Sequence, residues 1–201
     1  MEIIFKDVEK LNKQEEKSLL AKNKLISAAQ KLFNEYEIEK VGIREICAEA
    51  GVTTGTFYHH YKSKNDLIAA IYDTHEGRFE IVFNELCQKP SYSAAIVRFF
   101  TETLAPMVEA DGVDFTLHRL FIMKRHSNEQ NKLYKGMKKL IICAIESGEF
   151  SSAYNPDKIM TYIFTVFRGT TYEWCIMPEE ERGSLAKMLE EAMSYAVKAF
   201  V

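Results

Sequence analysis

The sequence predicts an all-α protein, and three observations predict it. Apolar residues recur with helical spacing along almost the whole chain, and no segment keeps the apolar–polar alternation of a half-buried strand. The four prolines, Pro90, Pro106, Pro156 and Pro178, all lie in the C-terminal part, and three of them stand at breaks between helical patterns. Capping and turn residues then divide the chain into nine helices, three short and then six mostly long.

In chain order, residues 1–17 are rich in Lys and Glu and read as a charged N-terminal arm. The first firm helix carries Leu25, Ala29, Leu32, Phe33 and Tyr36 on one face. A short helix follows from Ile43 to Ala50, then a turn through Gly51-Val52-Thr53 and a third helix from Thr54 to Tyr61. The fourth starts at Ser63-Lys64-Asn65-Asp66, where Ser63 can cover an orphan amide and Asp66 suits the positive helix end, and it runs towards Cys87. Beyond Lys89-Pro90, helical patterns recur at 93–109, 114–127, 130–147, 156–176 and 180–200. Pro106 lies inside the first of these and predicts a kink or an early stop there.

The 201 residues fit one large domain or a small one joined to a medium one, with 47% hydrophobic and 27% charged residues, ample for a core. A formal net charge of −3 announces no nucleic-acid partner, so any basic surface must be local. Cys47, Cys87, Cys143 and Cys175 are scattered, without C-x-x-C or His partners at metal-ligand spacing. They read as small apolar residues suited to a reducing cytoplasm. Met1-Glu2-Ile3-Ile4-Phe5-Lys6-Asp7 is not the start of a signal peptide, and no run approaches the roughly 18 apolar residues of a membrane span. The expected location is the cytoplasm. H-E-x-x-H, G-x-S-x-G and nucleophile patterns are missing, and Gly51-Val52-Thr53-Thr54-Gly55 is not followed by Lys-Ser/Thr as a phosphate loop requires. The chain is expected to be neither an enzyme nor the holder of a cofactor or metal.

Two short helices joined by a tight Gly-containing turn have the sequence form of a helix-turn-helix. Ile46, Ala50, Val52, Phe57 and Tyr61 make one inward set, and Thr53 is placed to cap the third helix. At about 100° per residue, Gly55 and His59 lie most nearly opposite Phe57, flanked by Thr54 and Tyr58 on one side and Thr56 and His60 on the other. That outward face is polar and aromatic, and Gly55 lets the backbone approach another surface closely.

The stretches Lys24–Phe33 and Ile43–Leu67 resemble the DNA-binding domain of the tetracycline-repressor (TetR) family. The paired alanines before Leu32-Phe33, the Ala50-Gly51-Val52 turn, the Gly55-Thr56-Phe57-Tyr58 core and the Lys62-Ser63-Lys64 ending all fall at the family's spacing. Gly42 stands where such proteins usually carry a capping Thr, Ile43 replaces a common Thr or Val, and Glu37 replaces a common Gly. The resemblance implies a DNA-binding domain over 18–66 and a dimerisation and ligand-binding domain over 67–201; the fourth helix joins the two and, by topology, is expected to be the lever between them. It also implies that the third helix enters the major groove of a palindromic double-stranded operator. Thr53, Thr54, Gly55, Thr56, His59 and His60 are then expected at base edges or phosphates, and Arg44, Tyr58 and Lys64 at phosphates. Glu45 and Glu49 oppose the few cations nearby, so a moderate salt slope is expected, steeper at low pH if His59 and His60 protonate.

In the last two helices Ile163, Phe167 and Trp174, then Leu185, Met188, Leu189, Ala192, Met193 and Ala196, recur at helical period. Such faces can pair across a two-fold axis into a four-helix bundle, and the resemblance implies that homodimer; the same faces can also pack within one subunit. A pocket for a small apolar effector is expected among His118, Phe121, Tyr162, Thr165, Arg168 and Tyr172, a mixture that suits an ordinary core as well. The implied function is a homodimeric repressor released by a small molecule. The alternative is a DNA-binding protein of the same type with no such effector, acting structurally or through a protein partner.

Overall fold

A computed structural model describes residues 13–73, 76–88, 91–122 and 132–201, with the side chains of residues 13, 72, 73, 76–78, 121 and 122 outside the description. The described residues are helical, with no strand among them. The chain divides into two compact units, Met1–Asp73 and Thr74–Val201; the sequence had suggested a division at 66/67.

The first unit holds α1 (Lys13–Glu35), a 3-10 turn (Ile38–Lys40), α2 (Ile43–Ala50), α3 (Thr54–His60) and α4 (Lys64–Asp73). Residues 13–17 of the expected arm belong to α1, and the rest of the arm lies outside the described residues. Leu25, Ala29 and Phe33 of α1 close over Ile46 and Ala50 of α2, Phe57 and Tyr61 of α3, and Leu67, Ile68 and Ile71 of α4, all buried. Tyr36 leaves this face and is 57% exposed, because α1 ends at Glu35 and the chain turns there. Val52 is half-buried rather than central.

The second unit holds α5 (Glu76–Leu86), α6 (Tyr92–Arg98), a π-helical segment (Phe99–Leu104), α7 (Ala105–Asp111), α8 (Val113–Ile122), α9 (Lys132–Glu146), α10 (Pro156–Ile176) and α11 (Leu185–Lys198). Its core is one contiguous cluster in which Phe83 stacks on Phe99 at 4.4 Å, Phe99 meets Phe100 at 5.7 Å and Phe100 meets Phe167 at 5.2 Å between ring centroids. Parallel to α5, α9 lies so close that a Cβ on Gly136 would fall 1.9 Å from Cδ2 of Phe83. One turn earlier Lys132 pairs with Glu80 at 2.8 Å.

Two expected helices are described as more than one piece, which turns the nine into eleven α-helical segments among the described residues. The fourth is described as α4 and α5, with residues 74 and 75 outside the description. The fifth became α6, the π segment and α7, and Pro106 explains it. Proline has no N–H to give and its ring presses on the carbonyl four residues back. The wider winding lets Ala105 N–H donate to Phe100 O, and Pro106 then sits in the first turn of α7, where no intrahelical donor is needed.

Long-range side chains fix the helix ends. The Glu149 carboxylate accepts from Tyr92 N (2.8 Å), Ser93 N (2.9 Å) and the Ser91 hydroxyl (3.1 Å), covering the N-terminus of α6. Glu109 on α7 accepts from Leu185 N at 2.7 Å and does the same for α11. At the other end of α10, Arg182 donates to Met177 O (2.7 Å), Trp174 O (3.2 Å) and Cys175 O (3.4 Å) while lying over the Trp174 ring. The last helix therefore starts at Leu185, not near 180, because residues 178–184 form this clamp.

Candidate nucleic-acid interface

The reading surface is built from the turn outward. Gly51 closes α2 at φ 65° and ψ 36°, a left-handed conformation open to Gly, with Gly51 N–H on Ala48 O and Val52 N–H on Cys47 O. The chain then re-enters a helix at Thr53, whose Oγ1 accepts from Thr56 N at 3.1 Å. Phe57, fully buried, and Tyr61 anchor α3 to the unit's core.

With those anchors inside, Thr53, Thr54, Gly55, Tyr58 and His59 are exposed, Tyr58 by 59%, and Thr56 and His60 are half-buried beside them. The surface is preorganised: Thr53 Oγ1 lies 3.0 Å from Thr56 Oγ1, the His59 and His60 rings meet edge-on at 5.0 Å, and Tyr58 stands edge-on to Phe57. Arg44 is exposed in the first turn of α2.

Three features were not visible in the sequence. Gly42 has no side chain to cap α2, and its own amide donates to the Glu45 carboxylate instead; a Cβ at Gly42 would stand 2.7 Å from Glu45 Oε2. Glu49 is held by Lys31 of α1 at 2.7 Å. Both acids expected to oppose the reading surface are thus engaged elsewhere. Lys22 of α1 lies near enough to His60 to act on its charge, adding a cation that the helix-turn-helix motif alone does not contain. Burial, His59 and Lys22 together hold the His60 imidazole below its usual pKa.

Lys64 is also engaged within the unit. Its ammonium donates to Ile38 O (2.8 Å) and Val41 O (3.0 Å), tying the 3-10 turn to the start of α4. Two of its three donors serve the fold, because the C-terminal carbonyls of a 3-10 turn with no helical continuation need partners. Asp66 N donates to Ser63 Oγ at 3.2 Å, as the capping pattern predicts.

In the second unit the faces of α10 and α11 sort differently from the expectation. Ile163, Phe167, Trp174, Leu185, Leu189, Met193 and Ala196 are buried inside the one subunit, and only Met188 and Ala192 are half-buried. The residues expected to line a pocket, Tyr162, Thr165, Arg168 and Tyr172, stand on the exposed side of α10. Thr165 Oγ1 there donates to Thr161 O at 2.7 Å and Arg168 Nη2 to Thr165 Oγ1 at 3.4 Å. The physical reason is that the wider apolar stripe of each helix is consumed by its own core, leaving a narrower stripe of aromatic and small residues outside. That outer stripe runs Lys158, Tyr162, Thr165, Gly169, Tyr172 and Ile176, spaced alternately four and three residues apart. His118 is half-buried on α8, and the side chain of Phe121 lies outside the described residues. Among the described residues, no helix is long and apolar enough to cross a membrane.

Residues 25–71 match the model of the "Bacterial regulatory proteins, tetR family". The chain is 40% identical over 65 residues to the transposon Tn10 TetC protein of Escherichia coli, a match covering 32% of this chain and only 33% of that protein. The fold extends further than the sequence likeness. The transcriptional regulator FadR from Bacillus subtilis, solved with stearoyl-CoA, superposes with a TM-score of 0.67 over 89% of this chain and 99% of its own, at 18% identity. FadR from Thermus thermophilus, described as a TetR-family transcriptional repressor and solved with lauroyl-CoA, gives 0.70 over 90% and 95% at 14% identity.

Proposed function

From a chain that carries a tetR-family DNA-binding domain on the fold of that family's regulators, we propose that this protein is a cytoplasmic, homodimeric, sequence-specific repressor that a small, largely apolar molecule releases from a palindromic operator. One observation carries the DNA reading: α3 buries Phe57 and Tyr61 and offers a backbone-accessible Gly55 ringed by Thr53, Thr54, Thr56, Tyr58, His59 and His60. A helix of this length reads a few base pairs, so affinity requires two copies on two half-sites. Arg44 and Lys22 hold phosphates at its margins; Lys64 has at most one donor left for that role.

The two-fold contact is assigned to the outer stripe of α10, where Gly169 has nothing within 4 Å of a Cβ position and Tyr162, Tyr172 and Ile176 remain 47%, 40% and 52% exposed. Small and aromatic residues at a coiled-coil-like spacing suit helix-on-helix packing.

An effector site is supported by two fully buried threonines on helices that pack together, Thr116 of α8 and Thr171 of α10. Among the described residues their hydroxyls have no hydrogen-bond partner, and a ligand's polar group placed between the helices would satisfy them. The acyl-CoA complexes of the two FadR proteins fit a largely apolar ligand of this kind. A ligand releases the operator only through different affinities for the binding-competent and incompetent states.

Selection of bound duplexes from a random DNA pool by the full-length protein tests the reading. Enrichment of an inverted repeat is the expected result; a pool that stays unenriched against bulk competitor would overturn it. A thermal-shift series with acyl-CoAs separates the effector-responsive form from one without an effector, since a bound ligand raises the midpoint with concentration.

A further inference from the structure

We propose that Cys87 and Cys143 form a dithiol site that hydroperoxides close to a disulfide, stapling α5 to α9. The placement follows from the register of the two parallel helices. Glu80 meets Lys132 at 2.8 Å and Phe83 meets Gly136, so both chains advance together by about one turn. Carried one turn further, Cys87 draws level with the stretch from Lys139 to Cys143. Cys87 follows Phe83 by one turn and Cys143 follows Gly136 by two, each keeping its predecessor's face, so both thiols lie on the α5–α9 seam with Cys143 about one turn further along it.

The surroundings separate these two thiols from the other two. Cys87 and Cys143 are both half-buried, whereas Cys47 and Cys175 are buried. Cys143 and Lys139 line an open groove of about 480 Å³ along α9, which gives an oxidant access. Lys139 and Cys143 lie close enough to Cys87 to act on its charge; burial pushes that thiol up and the Lys139 ammonium works against it. Burial pushes the Cys175 thiol up to about 11, so it stays protonated and unreactive at neutral pH.

The chemistry balances with the peroxide as oxidant. The Cys143 thiolate attacks the terminal oxygen of ROOH, the O–O bond breaks, and the alkoxide leaves as ROH after taking a proton. The sulfenic acid so formed is attacked by the Cys87 thiolate; the S–O bond breaks and hydroxide leaves as water. Two thiols have then given two electrons to the peroxide, yielding one disulfide, one alcohol and one water. Cys87 follows the last residue of α5 and sits in a turn, its N–H still donating to Phe83 O at 3.0 Å, so closure requires this turn to shift until the Cα separation reaches the roughly 4.4–6.8 Å of a disulfide.

The site is a property of the second unit and does not rest on the DNA reading. Its test is hydrogen peroxide treatment of the full-length reduced protein, alkylation of remaining thiols, and peptide mapping by mass spectrometry. The expected result is loss of two alkylatable thiols out of four, a linked peptide joining residues 87 and 143, and recovery with dithiothreitol. Cys87→Ser or Cys143→Ser should each abolish the linked peptide, and Cys47→Ser should leave it intact. Four thiols still alkylated, a bridge only between chains, or Cys143 carried on to sulfinic acid without a link would each overturn the proposal.

Discussion

Replacing Gly136 with alanine tests how tightly α5 and α9 are packed. The new Cβ would lie 1.9 Å from Cδ2 and 2.4 Å from Cγ and Cε2 of Phe83, where carbon atoms ordinarily approach to about 3.5–4 Å. The ring has nowhere to retreat, being 3% exposed and stacked at 4.4 Å on the fully buried Phe99. The helix itself must move by about 1.5 Å or more to restore contact distance. Overpacking of this kind costs about 1–3 kcal/mol and occasionally more, while alanine gains up to about 1 kcal/mol over glycine inside a helix. The clash dominates, for an expected net loss of about 1–2 kcal/mol, or roughly 3–8 °C in midpoint for a unit of this size. Urea or thermal unfolding followed by the single tryptophan, Trp174, reads the second unit directly. Phe83→Leu in the same chain should recover part of the loss, with a coupling of about 1 kcal/mol in a double-mutant cycle. A Gly136→Ala midpoint equal to or above the parent's would refute the reasoning, because helix propensity would then outweigh packing.

Four further outcomes are expected. Lys64→Met should lower the stability of the first unit by about 1–2 kcal/mol by stranding two carbonyls, and leave the salt slope of operator binding unchanged in a filter or fluorescence titration. Lys22→Ala should instead reduce that slope by about 0.9 with little change in midpoint, the signature of one lost phosphate contact. For Glu149, burial pushes the carboxyl up, but the Ser93 and Tyr92 amides and the Ser93 and Ser91 side chains hold it below the usual range. Its stabilisation is therefore present above the unfolded pKa near 4.3 and lost as pH falls through the lower folded value; Glu149→Gln should cost about 1 kcal/mol at pH 7 and flatten the acid limb of a stability–pH curve. Tyr172→Glu should shift the protein towards monomer in sedimentation and abolish operator binding, while a dimer that persists would move the two-fold contact elsewhere.

The helix-turn-helix was legible because local rules decide it. Phe57 and Tyr61 share a face by helical phase, Gly51 is the residue a left-handed turn wants, and Thr53 caps α3 by accepting from Thr56 N three residues on. Lys64 was not legible, since its ammonium suits a phosphate and a carbonyl equally well and its acceptors lie 26 and 23 residues back. The two sides of α10 could not be told apart in the sequence for a related reason. Periodicity names a face but not the surface it meets, and Ile163 and Tyr162 each begin a plausible stripe. Gly42 showed the converse: a missing cap in the sequence became an amide held by Glu45, which only the folded backbone reveals.

The π-helical winding at Phe99–Leu104 has a consequence for how this unit can tolerate change. It accommodates one residue more than an α-helix would over the same climb. Deleting a residue there would let the chain wind as an even α-helix with its two flanks still in phase, so Glu109 would keep its reach to Leu185 N. Pro106 would then stand inside a continuous helix, its ring pressed on the carbonyl four residues back. The surplus residue is thus the slack that seats the proline, and a deletion between 99 and 104 should be tolerated far better once Pro106 is replaced by alanine.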